Sequence, residues 1–164
     1  MFEHLKKFDR IVVTGPHRSG TTICAEMIAA DTGFEAVREE RFSCRNEGLF
    51  RRFMKRAKRV VVQAPAMFWT LPDVDDGRTA FVLMRRPLDE LHASKRYPPG
   101  REVPLKPYPE SGDAPESKYK AWDRMELSNK IEINYSDLAL HRLWVPTEKR
   151  RALGPKWHHR RTRL

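Results

Sequence analysis

The sequence predicts an α/β domain of three layers, with helices on both faces of a mostly parallel central sheet of about four strands. Three observations predict it. Compact β-branched or apolar runs (Ile11 to Val13, Val60 to Val62, Thr79 to Met84) alternate with stretches of helical spacing, the signature of strands joined by helices. Two of the runs are apolar almost throughout, as strands buried on both faces are. A glycine-bounded loop separates the first run from the first helical stretch, at residues 15–20.

The elements can be taken in order. Arg10 to Thr14 reads as a first strand and Thr21 to Ala30 as a first helix, with Ile23, Met27 and Ala30 on one face. Asp31-Thr32-Gly33 stops that helix, and Phe34 to Val37 forms a short run that fits a second strand. From Asn46 to Ala57, Leu49, Phe50, Phe53, Met54 and Ala57 recur at helical spacing while Arg51, Arg52, Lys55 and Arg56 face away. Arg59 to Gln63 and Thr79 to Met84 are further strands, and Pro87 opens a helix to Arg96. Residues 98–115 hold six of the twelve prolines without periodicity, which predicts a long loop or lid. Ser117 to Leu127 resumes a helix, and Lys130 to Tyr135 is a last strand with Ile131 and Ile133 alternating with polar residues.

Composition bounds the function. With 164 residues, 40% hydrophobic and 33% charged, the chain suits one domain with its own core. No apolar run approaches the roughly 20 residues of a membrane span, and the first residues lack a signal-peptide segment. Cys24 and Cys44 have no metal-ligand spacing and read as reduced thiols, so a cytoplasmic location is expected. Residues 1–145 are expected to form the domain and 146–164 a basic tail, which holds seven Lys or Arg against the single acid Glu148. A basic tail fits polyanions or an acidic partner, and equally a solvated end. Nucleic acid remains open but not favoured, because no helix-turn-helix, zinc-finger or stacking-aromatic pattern accompanies the charge.

The loop carries the chemistry. Thr14-Gly15-Pro16-His17-Arg18-Ser19-Gly20-Thr21-Thr22 is a strand feeding a helix N-terminus, where backbone N–H groups and the helix dipole receive an anion. A nucleotide-triphosphate loop reads G-x-x-x-x-G-K-[ST]. Gly15 and Gly20 keep that spacing, but Thr21 stands where the lysine belongs, and Arg18 is the cation inside the loop. No Asp ends the strands at Gln63 or Met84 to hold Mg²⁺. These absences weigh against an ordinary kinase or ATPase.

Arg18-Ser19-Gly20-Thr21-Thr22 resembles the 5′-phosphosulfate loop of the sulfotransferases that use 3′-phosphoadenosine 5′-phosphosulfate (PAPS). Arg85-Arg86-Pro87-Leu88-Asp89-Glu90-Leu91-His92-Ala93-Ser94 is similar to that family's 3′-phosphate element, an arginine at a strand end with a serine on the next helix. Ile131 to Leu138 resembles the tyrosine-acid-Asp-Leu strand end of bacterial members. The resemblance implies a P-loop-like α/β fold and a short bacterial- or phage-type member that moves sulfuryl from PAPS to a hydroxyl or amine acceptor without a metal. It assigns the 5′-phosphate to Ser19, Gly20, Thr21 and Thr22, the departing phosphate's charge to Arg18, and the 3′-phosphate to Arg86 with Ser94. Aligning on Arg-x-Pro-x-Asp would instead lead with Arg85 and put Ala93 at the serine position. Only a hydroxyl can donate there, which favours Arg86 with Ser94.

Tyrosylprotein-type members take the acceptor's proton with a glutamate of a Glu-Glu pair beyond the loop. Glu39-Glu40 lies at a similar distance here, so the resemblance points to Glu40, then Glu39, while an acid pair after a strand also fits simple solvation. The lysine and histidine that cytosolic members place at the middle strand are absent from Gln63-Ala64-Pro65. Met67, Phe68, Trp69 and Leu71 fit an acceptor pocket or the core equally; Trp122, Trp144 and Trp157 read as packing anchors. Two other readings stay in view: a non-catalytic anion- or nucleotide-binding relative acting through its tail, and a degenerate P-loop kinase.

Overall fold

In the computed structural model, residues 1–42, 46–94 and 114–145 are described, the side chains of Ala93 and Ser94 apart. Five strands form one parallel sheet: β1 (Arg10–Thr14), β2 (Glu35–Arg38), β3 (Val60–Gln63), β4 (Thr79–Arg85) and β5 (Lys130–Asn134), in the order β2-β3-β1-β4-β5. The count is five rather than four because both weakly apolar runs, around Val37 and Ile133, pair at the two edges. Register places Val12 opposite Val62 on one side and Phe81 on the other.

Strand alternation divides the core into two layers. Ile11, Val13, Val61, Val82 and Met84 pack with Ile23, Met27 and Ile28 of α1 (Thr21–Thr32). Val12, Val62, Phe81 and Leu83 face the other way, against Phe50 and Met54 of α2 (Glu47–Arg56) and Trp122 of α4 (Pro115–Arg124). Ala30, expected on the buried face of α1, is exposed, and Leu49 of α2 is 37% exposed. Gly33 ends α1 at φ 72°, donating its N–H to Ala29, the left-handed stop that glycine permits.

The amino edge of the sheet is sealed by a buried guanidinium. Arg10 donates to the carbonyl of Met54 at 2.6 Å and to Thr79 Oγ1 at 3.1 Å, and pairs with Asp76. At the carboxyl edge each strand hands over to a different connection. These are the Gly15–Gly20 loop, the Glu39–Phe42 turn, the 3-10 segment Pro65–Val74, α3 (Leu88–Ser94) and the turn from Tyr135. The strands after β1 fall first to one side and then to the other, and ligands of open α/β sheets gather in the crevice so formed.

Pro115 belongs to a helix rather than to the expected loop: it is the first residue of α4, where its fixed φ suits the first turn. The remainder of the expected lid, residues 98–113, lies outside the described residues, as do the basic tail, Cys44, Trp157 and the His158-His159 pair. No helix among the described residues is long and apolar enough to cross a membrane.

Candidate functional site at the carboxyl edge of the sheet

The β1–α1 loop is held open by backbone geometry. Gly15 has φ 148°, Arg18 φ 70° and Gly20 φ 94°, three positive values in six residues. A Cβ on Gly15 would lie 2.8 Å from Ser19 Oγ and 3.0 Å from the Met84 carbonyl; one on Gly20 would lie 2.6 Å from the Tyr135 ring. Both glycines are therefore required for close approach as well as for conformation. Ser19 is buried and spends its hydroxyl locally, donating to the Pro16 carbonyl at 2.7 Å. That hydroxyl is a loop staple, and the Ser19 N–H, the group the resemblance offers to the 5′-phosphate, donates to the same carbonyl at 3.2 Å. The N-terminus of α1 has no side-chain cap. The first N–H groups of an uncapped helix are of the kind that can receive an anion.

Gln63 and Thr21 join the loop to β3, with Gln63 Nε2 donating to Thr21 Oγ1 at 3.4 Å. Thr14, at the end of β1, buries a hydroxyl that has no hydrogen-bond partner among the described residues. Arg18 and His17 are exposed at the loop tip.

The two adjacent arginines separate. Arg85, still in the pleat of β4, donates to Asp123 at 2.6 Å and to Glu132 Oε1 at 3.1 Å. Two carboxylates thus neutralise it away from the loop, and the site role offered to Arg85 gives way to an ion-pair network. Arg86, one residue past the strand, turns to the loop: Nη1 donates to the Arg18 carbonyl at 3.0 Å and Nε to Glu90 at 3.0 Å. Its guanidinium lies 4.1 Å from the Tyr135 ring centroid, within cation–π range. The side chain of Ser94, and with it the expected Arg86–Ser94 pair, lies outside the described residues.

Tyr135, known from the sequence only as part of the strand-end resemblance, is a floor for both elements, touching the position above Gly20 and stacking on Arg86. Tyr119 of α4 clamps the same arginine: its hydroxyl accepts from the Arg86 N–H at 3.0 Å and donates to the Arg86 carbonyl at 3.1 Å. Burial, the largest influence, raises the Tyr119 phenol above its ordinary value and keeps that donor proton in place.

The acid pair also splits. Glu40, the first choice for a base, is exposed. Glu39 is half-buried and accepts the Ala66 N–H at 3.0 Å. Burial raises its carboxyl above the ordinary value and Glu40 adds to the rise, while the Ala66 N–H and Lys118 oppose it. Of the pair, Glu39 is the one whose surroundings perturb its carboxyl. It is also the one joined to the loop's neighbour strand, because Ala66 is three residues beyond Gln63, within about 11 Å along the chain.

Lys118 escapes a reading of the sequence altogether. It is 1% exposed, and its Nζ donates to the Pro65 carbonyl at 3.1 Å. The one signal is its place a turn before the buried Trp122, on a face where a lysine is out of character. Met67, Phe68 and Leu71 are core, while Trp69 is 49% exposed. His92 is exposed on α3, 3.8 Å from Glu116.

No protein-family model and no curated protein matches the sequence. Solved structures do. A sugar kinase from Janibacter sp. HTCC2649, solved without ligand, superposes with a TM-score of 0.52 at 18% identity, over 89% of this chain and 92% of its own. The chain is similar to that structure in fold, an α/β domain with a five-strand parallel central sheet. Shikimate kinases from Acinetobacter baumannii and Aquifex aeolicus align less closely. Their TM-scores are 0.47 and 0.46 at 18% and 15% identity, over 85% and 88% of this chain and 93% and 94% of theirs. At such identities the likeness is one of fold alone.

Proposed function

We propose that the chain is a transferase that seats a nucleotide donor on the Gly15–Thr22 loop, and that the donor is PAPS, with sulfuryl passing to a hydroxyl or amine acceptor. The observation that supports the reading is the Arg86 guanidinium on the Arg18 carbonyl at 3.0 Å, which sets the arginine expected at the 3′-phosphate beside the Gly15–Gly20 loop. A donor with phosphates at both ends would meet N–H groups of Thr21 and Thr22 at one end and Arg86 at the other. Arg18 would offset charge on the departing 5′-phosphate, as preorganised cations do in phosphoryl transfer. Glu39 would take the acceptor's proton as the acceptor oxygen or nitrogen bonds to sulfur. The bond from sulfur to the phosphate oxygen breaks and its electron pair leaves with adenosine 3′,5′-diphosphate.

Phosphoryl transfer is the second reading, and the fold shared with a sugar kinase favours it. Its requirement is that Arg18 replace the lysine absent from position 21. Calorimetric titration separates the two. The sulfuryl reading expects adenosine 3′,5′-diphosphate to bind at least about tenfold more tightly than ADP with or without Mg²⁺. The reverse order, with Mg²⁺-dependent ATP turnover, establishes phosphoryl transfer in its place. No binding of either at millimolar concentration removes both.

A further inference from the structure

One buried charge at the carboxyl edge is explained neither by the loop nor by the arginines. Lys118 lies 5.7 Å from the Phe68 ring centroid, with its Nζ on the Pro65 carbonyl. The next backbone group along, the Ala66 N–H, is the one that Glu39 accepts. Pro65 C=O and Ala66 N–H are the two ends of a single planar peptide unit. An ammonium at its oxygen end and a carboxylate at its hydrogen end both deepen the dipole of that unit, so each contact strengthens the other. The arrangement also links elements far apart in sequence: α4 supplies the lysine, the segment after β3 the peptide, and the turn after β2 the carboxylate.

We propose that Lys118 is a positioning residue for the transfer, holding the Glu39 carboxylate through the Pro65–Ala66 peptide as the base that takes the acceptor's proton. The inference rests on the transferase reading above. Among the described residues, the groups that act on Glu39 are Glu40 from its own turn, the Ala66 N–H from the segment after β3, and Lys118 from α4. Of the two charged ones, Glu40 opposes ionisation and Lys118 favours it. The proton moves from the acceptor to a Glu39 oxygen as the new bond to sulfur forms. Water then removes it and the carboxylate is restored.

Carboxyl and amine NMR titrations of the full chain test the coupling. In the wild type, the Lys118 ammonium nitrogen and the Ala66 amide are expected to step at the midpoint of Glu39, and both steps vanish in Glu39→Gln. In Lys118→Met the Glu39 midpoint rises by about one pH unit, and the acid limb of the kcat profile moves with it. Donor KM stays unchanged, and Lys118→Arg restores the profile. An unmoved Glu39 midpoint in Lys118→Met, or no step at Lys118 in the wild type, overturns the proposal. The wild-type and Glu39→Gln titrations decide it alone if Lys118→Met does not fold. A chain that shows the coupling but binds no donor loses the base role, and the transferase reading fails separately from the Glu39–Lys118 coupling.

Discussion

At the scale of single residues, the site is built from side chains that differ from their sequence neighbours. Arg85 is neutralised by Asp123 and Glu132, while Arg86 reaches the loop. Consecutive residues leaving a strand point to opposite sides, so one step in sequence exchanges a structural role for a site role. Arg18 is unusual in a second way: it is a non-glycine residue at φ 70°. The left-handed conformation costs an L-residue about 1 kcal/mol, a cost glycine does not bear. Arg18→Gly is therefore expected to be more stable than Arg18→Ala by about 1 kcal/mol in urea unfolding, while both lose affinity for adenosine 3′,5′-diphosphate. Equal stabilities would mean that the loop relaxes out of this conformation in solution.

At the scale of elements, α1 and the turn after β5 are locked together through the absence of a side chain. Any Cβ at position 20 would fall 2.6 and 2.8 Å from two atoms of the Tyr135 ring, and the φ of 94° adds strain. Gly20→Ala is expected to lower stability by about 2 kcal/mol or more. Most of the clash should disappear in a Tyr135→Ala background, where the strain of the positive φ alone remains, a non-additivity that a double-mutant cycle reads directly. Trp144 stands edge-on to Tyr135 at 5.4 Å between centroids, so its fluorescence should change in the single variant. Helix α4 is the second coupling element. Its Lys118 and Tyr119 hold the segment after β3 and the end of β4, so two consecutive residues of one helix reach both halves of the carboxyl edge.

At the scale of the whole molecule, one carboxylate ties the beginning, middle and end of the described chain. Asp31, at the end of α1, accepts from the Phe2 N–H at 2.8 Å and from the terminal ammonium at 2.9 Å, and contacts His141 Nε2 at 3.2 Å. Burial alone would raise its pKa, but the hydrogen bonds from Phe2, the terminus and His141 outweigh that and hold it well below its ordinary 3.8. A depressed carboxyl contributes stability above its unfolded value, lost as pH falls through its folded one. Asp31→Asn should therefore cost about 1–3 kcal/mol near neutral pH, and the gap to wild type should narrow only as pH falls below about 4. A gap that stays constant through that range in urea unfolding would show that the charge contributes nothing and the packing everything.

Most of the element order was legible from residue pattern, because β-branched runs and helical stripes are local signals. The strand–loop–helix at residues 10–32, its two glycines and its helix N-terminus needed no knowledge of the rest of the chain. Edge strands β2 and β5 were harder, since a half-exposed strand such as Glu35–Arg38 has little apolar pattern to show. What only the tertiary structure decided is which charges meet. Sheet order sets β2 beside β3, and α4 packs across from them. That arrangement half-buries Glu39 while Glu40 stays exposed, turns Arg86, already favoured by the serine at position 94, to the loop, and brings Lys118 to the same edge. A buried charge is defined by its partners, and those lie tens of residues away along the chain, beyond the reach of any local pattern.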